Sequence, residues 1–128
     1  MDNFDYNVWM SKKIDELLNM NVKPNGIYDE EVIREYLIYS SSVKKGKKLF
    51  EFFKENTDDE ELLKMLLKVL LDENEEYSND SRYSAARIIP LFSVSLLKKY
   101  KKELTYAQNY TITNLKPFPK NIPDWLYD

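Results

Sequence analysis

Apolar side chains recur along this chain at intervals of three and four, the spacing that gathers them on one side of an α-helix. Tyr6, Met10, Ile14, Leu17 and Leu18 form the first such stripe, so a helix is predicted from about Asn3 to Met20. Pro24 and Gly26, in NVKPNG, stop it. A second helix is expected from near Tyr28, with Asp29, Glu30 and Glu31 in its first turn, where acids favour the helix dipole, and with Val32, Ile33, Tyr36, Leu37 and Tyr39 as its buried stripe. After SSSVKKG a third helix carries Leu49, Phe50, Phe52 and Phe53 and ends at Asn56. Thr57 followed three residues later by Glu60 reads as a capping box opening a fourth helix. That helix, ELLKMLLKVLLD, leaves little but Lys64 and Lys68 for water, so it needs neighbours on more than one side.

DENEEYSND reads as a connection, and DSRYSAARIIPLF opens a fifth helix that Pro90 must kink or interrupt. Three prolines in the last part of the chain, Pro117, Pro119 and Pro123, stand among Phe118, Ile122, Trp125, Leu126 and Tyr127. They predict an extended tail whose rings are pinned onto the helices. With 128 residues and only two glycines, the expectation is one all-α domain over residues 1–128. It would hold five to six helices packed as antiparallel pairs, in a short solenoid or an irregular bundle, with residues 111–128 as an extended tail packed on it.

Composition removes several function classes. Hydrophobic residues at 43% and aromatics at 14% are too many for a disordered chain, although 32% is charged. No cysteine is present for a disulfide or a thiolate metal site, and no histidine for general-base or imidazole-ligand chemistry. Phosphate-binding glycine loops and a GxSxG elbow are also missing from the sequence, so no enzyme activity and no cofactor are expected. The segment MDNFDYNVWMSKK has acids where a signal peptide needs bases. No run approaches the roughly 20 apolar residues of a membrane span, and a soluble cytoplasmic protein is expected.

Charge is distributed unevenly. Residues 57–80 carry nine acids against Lys64 and Lys68, a net of −7, and residues 81–105 carry six bases against Glu103, a net of +5. DDEE at 58–61 and DENEE at 72–76 are the only plausible cation sites. The first is expected in a helical first turn and the second lacks the glycine and alternating acids of a calcium loop, so no metal is expected. KKYKK at 98–102, with Tyr106 and Tyr110 beyond it, combines cations with rings able to stack on bases, as KKGKK at 44–48 does less fully. The pI of about 5.1 weighs against a nucleic-acid partner. Ten tyrosines and two tryptophans exceed what a core of this size needs and suit a protein interface.

Leu71 and Asp72, followed by Arg82, Ala85, Ala86, Ile88 and Ile89, resemble the aspartate-containing connection, arginine and small-residue helix start of HEAT-type helical repeats, although the interval from Asp72 to Arg82 is longer here. Arg82 is read first as a packing residue tied to Asp72 or Asp80, with Ala85 and Ala86 at a close helix crossing. A small, acidic, helical chain of this kind resembles immunity proteins of bacterial toxin systems, several of which are built from HEAT-like units. The resemblance implies a monomer or weak dimer that binds a basic toxin domain, often a nuclease, and blocks its active site. The expected contacts are Glu73, Glu75, Glu76, Tyr77 and Asp80 in the acidic connection, with Asp58, Asp59, Glu60 and Glu61 as a second set. A solvated loop and a helix cap explain the same acids, and a helical adaptor or a small phage or plasmid regulator using the lysine-rich helix remains open.

Overall fold

A computed structural model describes residues 5–41, 46–74 and 79–128. Within them the fold is all-α, with seven helices and no strand. These are α1 (Tyr6–Leu18), α2 (Glu30–Ser40), α3 (Lys47–Lys54), α4 (Glu60–Leu70), α5 (Asp80–Ile88), α6 (Val94–Lys99) and α7 (Lys101–Tyr110). The count exceeds the five to six expected because the predicted fifth helix is broken twice. Pro90 sits in a 3-10 turn over Ile89–Leu91 and ends α5, and Tyr100, at φ −114° and ψ 29°, separates α6 from α7. A proline amide cannot donate and its ring crowds the preceding turn, so interruption rather than a kink results.

Short acids start three of these helices. Asp5 accepts from the amides of Asn7 and Val8, Asp29 from those of Glu31 and Val32, and Asp59 from that of Leu62. Thr57 is therefore not the cap of α4. The cap falls two residues later, on an aspartate that the Tyr28 hydroxyl also holds, and the Glu60 side chain turns away toward α6. The Thr57 carbonyl instead accepts from the Ser93 amide and ties the start of α6 to the α3–α4 turn. Asn25 and Gly26 both take positive φ (57° and 79°) in the turn after α1, the left-handed geometry that only glycine adopts without strain.

The core runs from Met10, Ile14 and Leu17 of α1 through Val32, Ile33, Tyr36 and Leu37 of α2 to the leucines of α4. Tyr36 sends its hydroxyl to the Leu17 carbonyl at 2.9 Å and meets Phe52 and Phe53 edge-on, which closes α1, α2 and α3 around one aromatic cluster. Tyr6, expected in the α1 stripe, is 59% exposed instead.

Helix α5 has the most neighbours. It packs against both α2 and α4, and against the turns at 89–91 and 113–115. Ser81, Arg82, Ser84, Ala85, Ala86 and Ile88 are all buried, leaving Tyr83 and Arg87 as an exposed strip where the guanidinium stacks 4.8 Å from the ring centroid. Small side chains permit this, because two larger helices approach its backbone closely only where nothing projects between them. Alongside, Glu30 accepts from Lys68 at 2.6 Å and from Arg34 at 3.1 Å, while Arg34 also reaches Asp72 at 2.8 Å, joining α2 to the C-terminal end of α4.

After α7 the chain folds back on itself. The buried Gln108 side chain makes a two-way pairing with the Phe118 backbone, donating to its carbonyl at 2.8 Å and accepting from its amide at 3.0 Å. Tyr127 donates to Asn109 and Lys101 to the Asp128 carbonyl. Phe118 and Leu126 are buried, but Ile122 and Tyr127, expected against the helices, are about half exposed.

Two measurements test this packing. Ala85→Leu inserts bulk at a fully buried helix crossing and is expected to cost about 1–3 kcal/mol in denaturant unfolding, whereas Tyr83→Leu on the exposed strip should change stability by under about 0.5 kcal/mol. Equal effects would remove α5 from the centre of the fold. The Lys68 hydrogen bond, with Arg34 behind it, holds the Glu30 carboxyl below its usual range. A depressed carboxyl stabilises the fold above its unfolded pKa and loses that contribution as pH falls through its folded one. Glu30→Gln should thus lower the melting temperature at neutral pH and leave it unchanged in strong acid; a loss of equal size at both would show that charge is not the cause.

Candidate functional site

The acids singled out in the sequence separate into two groups. Asp59 and Glu60 serve the chain's own structure. Asp59 caps α4 and accepts from Tyr28 at 2.5 Å, with Lys23 3.9 Å away; Glu60 accepts from Tyr100 at 2.6 Å and Lys99 at 3.2 Å. The Tyr100 hydroxyl, then Lys99, hold the Glu60 carboxyl below its ordinary range, and the same contact pushes the Tyr100 hydroxyl up to about 12. Asp58 faces solvent without a hydrogen bond or ion pair among the described residues, as does Asp80, while Glu61 meets only Lys64, at 3.6 Å on an exposed surface. Glu75, Glu76 and Tyr77 lie outside the described residues, as do Lys44 and Lys45 of KKGKK.

Glu73 joins an acid of the connection to a larger surface. Its Oε1 accepts from the Tyr106 hydroxyl at 3.0 Å, which raises the Tyr106 pKa. Since Tyr100 meets Glu60 in the first turn of α4 and Tyr106 meets Glu73 beyond its last, α7 points from the start of α4 toward its end. The outward side of α7 is thereby fixed, and the rings of Tyr106 and Tyr110, one turn apart, lie with centroids 5.1 Å from each other, tilted at 41°. Tyr110 is 72% exposed and Tyr106 44%.

Tyr110 divides two adjoining cavities. One, of about 380 Å³, lies over Leu71, Tyr106 and Asn109 and is edged by Lys102 and Glu103. The other, of about 350 Å³, has Glu73, Asn79 and Arg82 on one side and Thr111, Ile112 and Leu115 on the other. This groove holds one of the predicted contact residues, Glu73; Asp80 follows directly on Asn79, and Asp58 to Glu61 sit at the far end of α4. The tyrosine pair was visible in the sequence as an i, i+4 repeat, but its juxtaposition with Glu73, Ile112 and Leu115 depends on how α7 lies on α4 and α5.

Arg82 has a different partner from the acid expected of it. Its Nε donates to the Leu70 carbonyl at 2.9 Å, satisfying the C-terminal end of α4, whereas Asp72 belongs to Arg34 and Asp80 points to solvent. A helix-end carbonyl is an orphan acceptor close at hand, so the guanidinium stem need not reach a carboxylate. In KKYKK, Lys99 is bound to Glu60 and Lys101 to Asp128, leaving Lys98 and Lys102 exposed. Among the described residues no group of acids is placed to hold a metal ion, and no helix is long and apolar enough to cross a membrane. Comparison with known protein families, with curated proteins and with solved structures finds no match to this chain.

Truncating neighbouring acids separates their roles. Asp59→Ala removes a cap and the acceptor of a part-buried tyrosine and should cost about 1–2 kcal/mol of stability, whereas Asp58→Ala should stay within about 0.5 kcal/mol. Comparable losses from both would contradict the division of the acids made above.

Proposed function

We propose that this chain is a non-catalytic protein-binding module. Our reading is that it is an immunity protein, which binds a basic toxin domain of bacterial origin and blocks its active site with the face around Tyr110. The observation that carries the reading is the adjoining pair Tyr106 and Tyr110, of which Tyr106 is held by Glu73, beside a groove. Rings that are both exposed and pre-positioned bind with little ordering cost, and tyrosine is among the residues on which interface energy concentrates. Glu73 and Asp80 beside the rings, with Asp58 and Glu61 at the other end of α4, supply a negative field suited to a basic partner. Asp59 and Glu60 leave the proposed contact set, because their charge is spent on Tyr28, Lys99 and Tyr100. The HEAT-like pattern at Asp72, Arg82, Ala85 and Ala86 favours the same class of protein.

A nucleic-acid regulator has less to support it, since two lysines of KKYKK are engaged within the chain. An adaptor domain would use the Tyr110 face in the same way and differ only in its partner. The deciding experiment co-expresses the chain with the toxin domain encoded beside it and measures protection together with calorimetric affinity. Protection is expected, and Tyr110→Ala should weaken binding about tenfold or more with no change in melting temperature. A cell that dies despite the wild-type chain removes the immunity reading; full affinity in the Tyr110→Ala variant removes the face.

A further inference from the structure

The cavity at the start of α5 contains a cation that forms no ion pair with the described residues. Arg82 lines it while only 8% exposed, and the single hydrogen bond or ion pair it makes with the described residues is the one from Nε to the Leu70 carbonyl. A guanidinium with four remaining N–H donors offers the forked geometry that takes a carboxylate in two parallel bonds. Glu73 lines the same cavity but forms no ion pair with Arg82; its Oε1 is occupied by Tyr106. Opposite lie the hydrocarbon of Ile112 and Leu115 and the ring of Tyr110. The space, about 350 Å³, falls at the lower end of small-molecule sites.

We propose that this cavity binds a small carboxylate with an apolar body, and that an apolar α-amino acid matches it best. The carboxylate pairs with the Arg82 guanidinium, the ammonium faces Glu73, and the side chain lies against Tyr110, Ile112 and Leu115. Glu73 disfavours dianions such as phosphate, because a second negative charge would meet its own. The site needs no protein partner, so its absence would leave the binding-face proposal standing.

An NMR titration of the isolated chain with leucine tests this. Saturable shifts of the backbone amides are expected at Arg82, Thr111 and Ile112, with a Kd on the order of 1 mM or tighter. Isoamylamine, which lacks the carboxylate, and inorganic phosphate, which lacks the apolar body, should each bind about tenfold more weakly or not at all. Arg82→Lys keeps the charge but loses the fork and should weaken leucine about tenfold. Should that variant fail to fold, Ile112→Asp on the 63%-exposed rim puts a charge against the ligand's apolar side chain and should have an effect of similar size. No saturable response to leucine, an equal response to either control, or undiminished binding in a folded variant overturns the assignment.

Discussion

Close contact of α5 with α2 on one side and α4 on the other is the constraint on which the rest of this structure depends. It is possible because Ser81, Ser84, Ala85 and Ala86 put almost nothing between the helix backbones. The candidate site lies at the edges of that contact. Arg82, one turn before the alanines, reaches the end of α4 and lines a cavity; the turn at 113–115 packs on α5 and forms the opposite wall. A larger side chain at the crossing would move α4 and, through Glu60 and Glu73, the helix carrying Tyr106 and Tyr110.

Polar contacts do the fastening in this protein. Tyr100 on Glu60 and Tyr106 on Glu73 set the direction of α7, and the pairing of Gln108 with the Phe118 backbone returns the chain across it. The Gln108 pairing is buried and leaves neither partner unsatisfied, so it fixes one path where prolines alone would allow several. The tyrosine–glutamate contacts are more exposed and contribute less energy each, but they determine which face of α7 looks outward.

That arrangement divides the acidic residues by role. Their clustering in the sequence suggests a single negative surface, yet Asp59, Glu60 and Asp72 are committed to Tyr28, Tyr100 and Arg34, while Asp58, Glu61 and Asp80 remain toward solvent. A net charge of −7 over residues 57–80 thus overstates the field offered to a partner. The aromatic residues divide similarly: Tyr28 and Tyr36 are structural and buried, and Tyr106 and Tyr110 stand in the groove.

Helical class, most of the core and the breaks at Pro24 and Pro90 were legible in the sequence, because apolar periodicity and the loss of a backbone donor act over a few neighbouring residues. The buried stripe of α2 and the leucines of α4 needed no more than that. The cap of α4 moved from Thr57 to Asp59 for a tertiary reason, the hydroxyl of Tyr28 thirty-one residues away. Arg82 was legible as a packing residue but its partner was not, since a helix-end carbonyl competes with carboxylates only once two helices are placed. Likewise the i, i+4 tyrosines were visible, but their meeting with Glu73, Ile112 and Leu115 arises from three segments distant in sequence. Local periodicity determined which residues are helical and which are inside; long-range packing alone decided which charges are spent and where a groove opens.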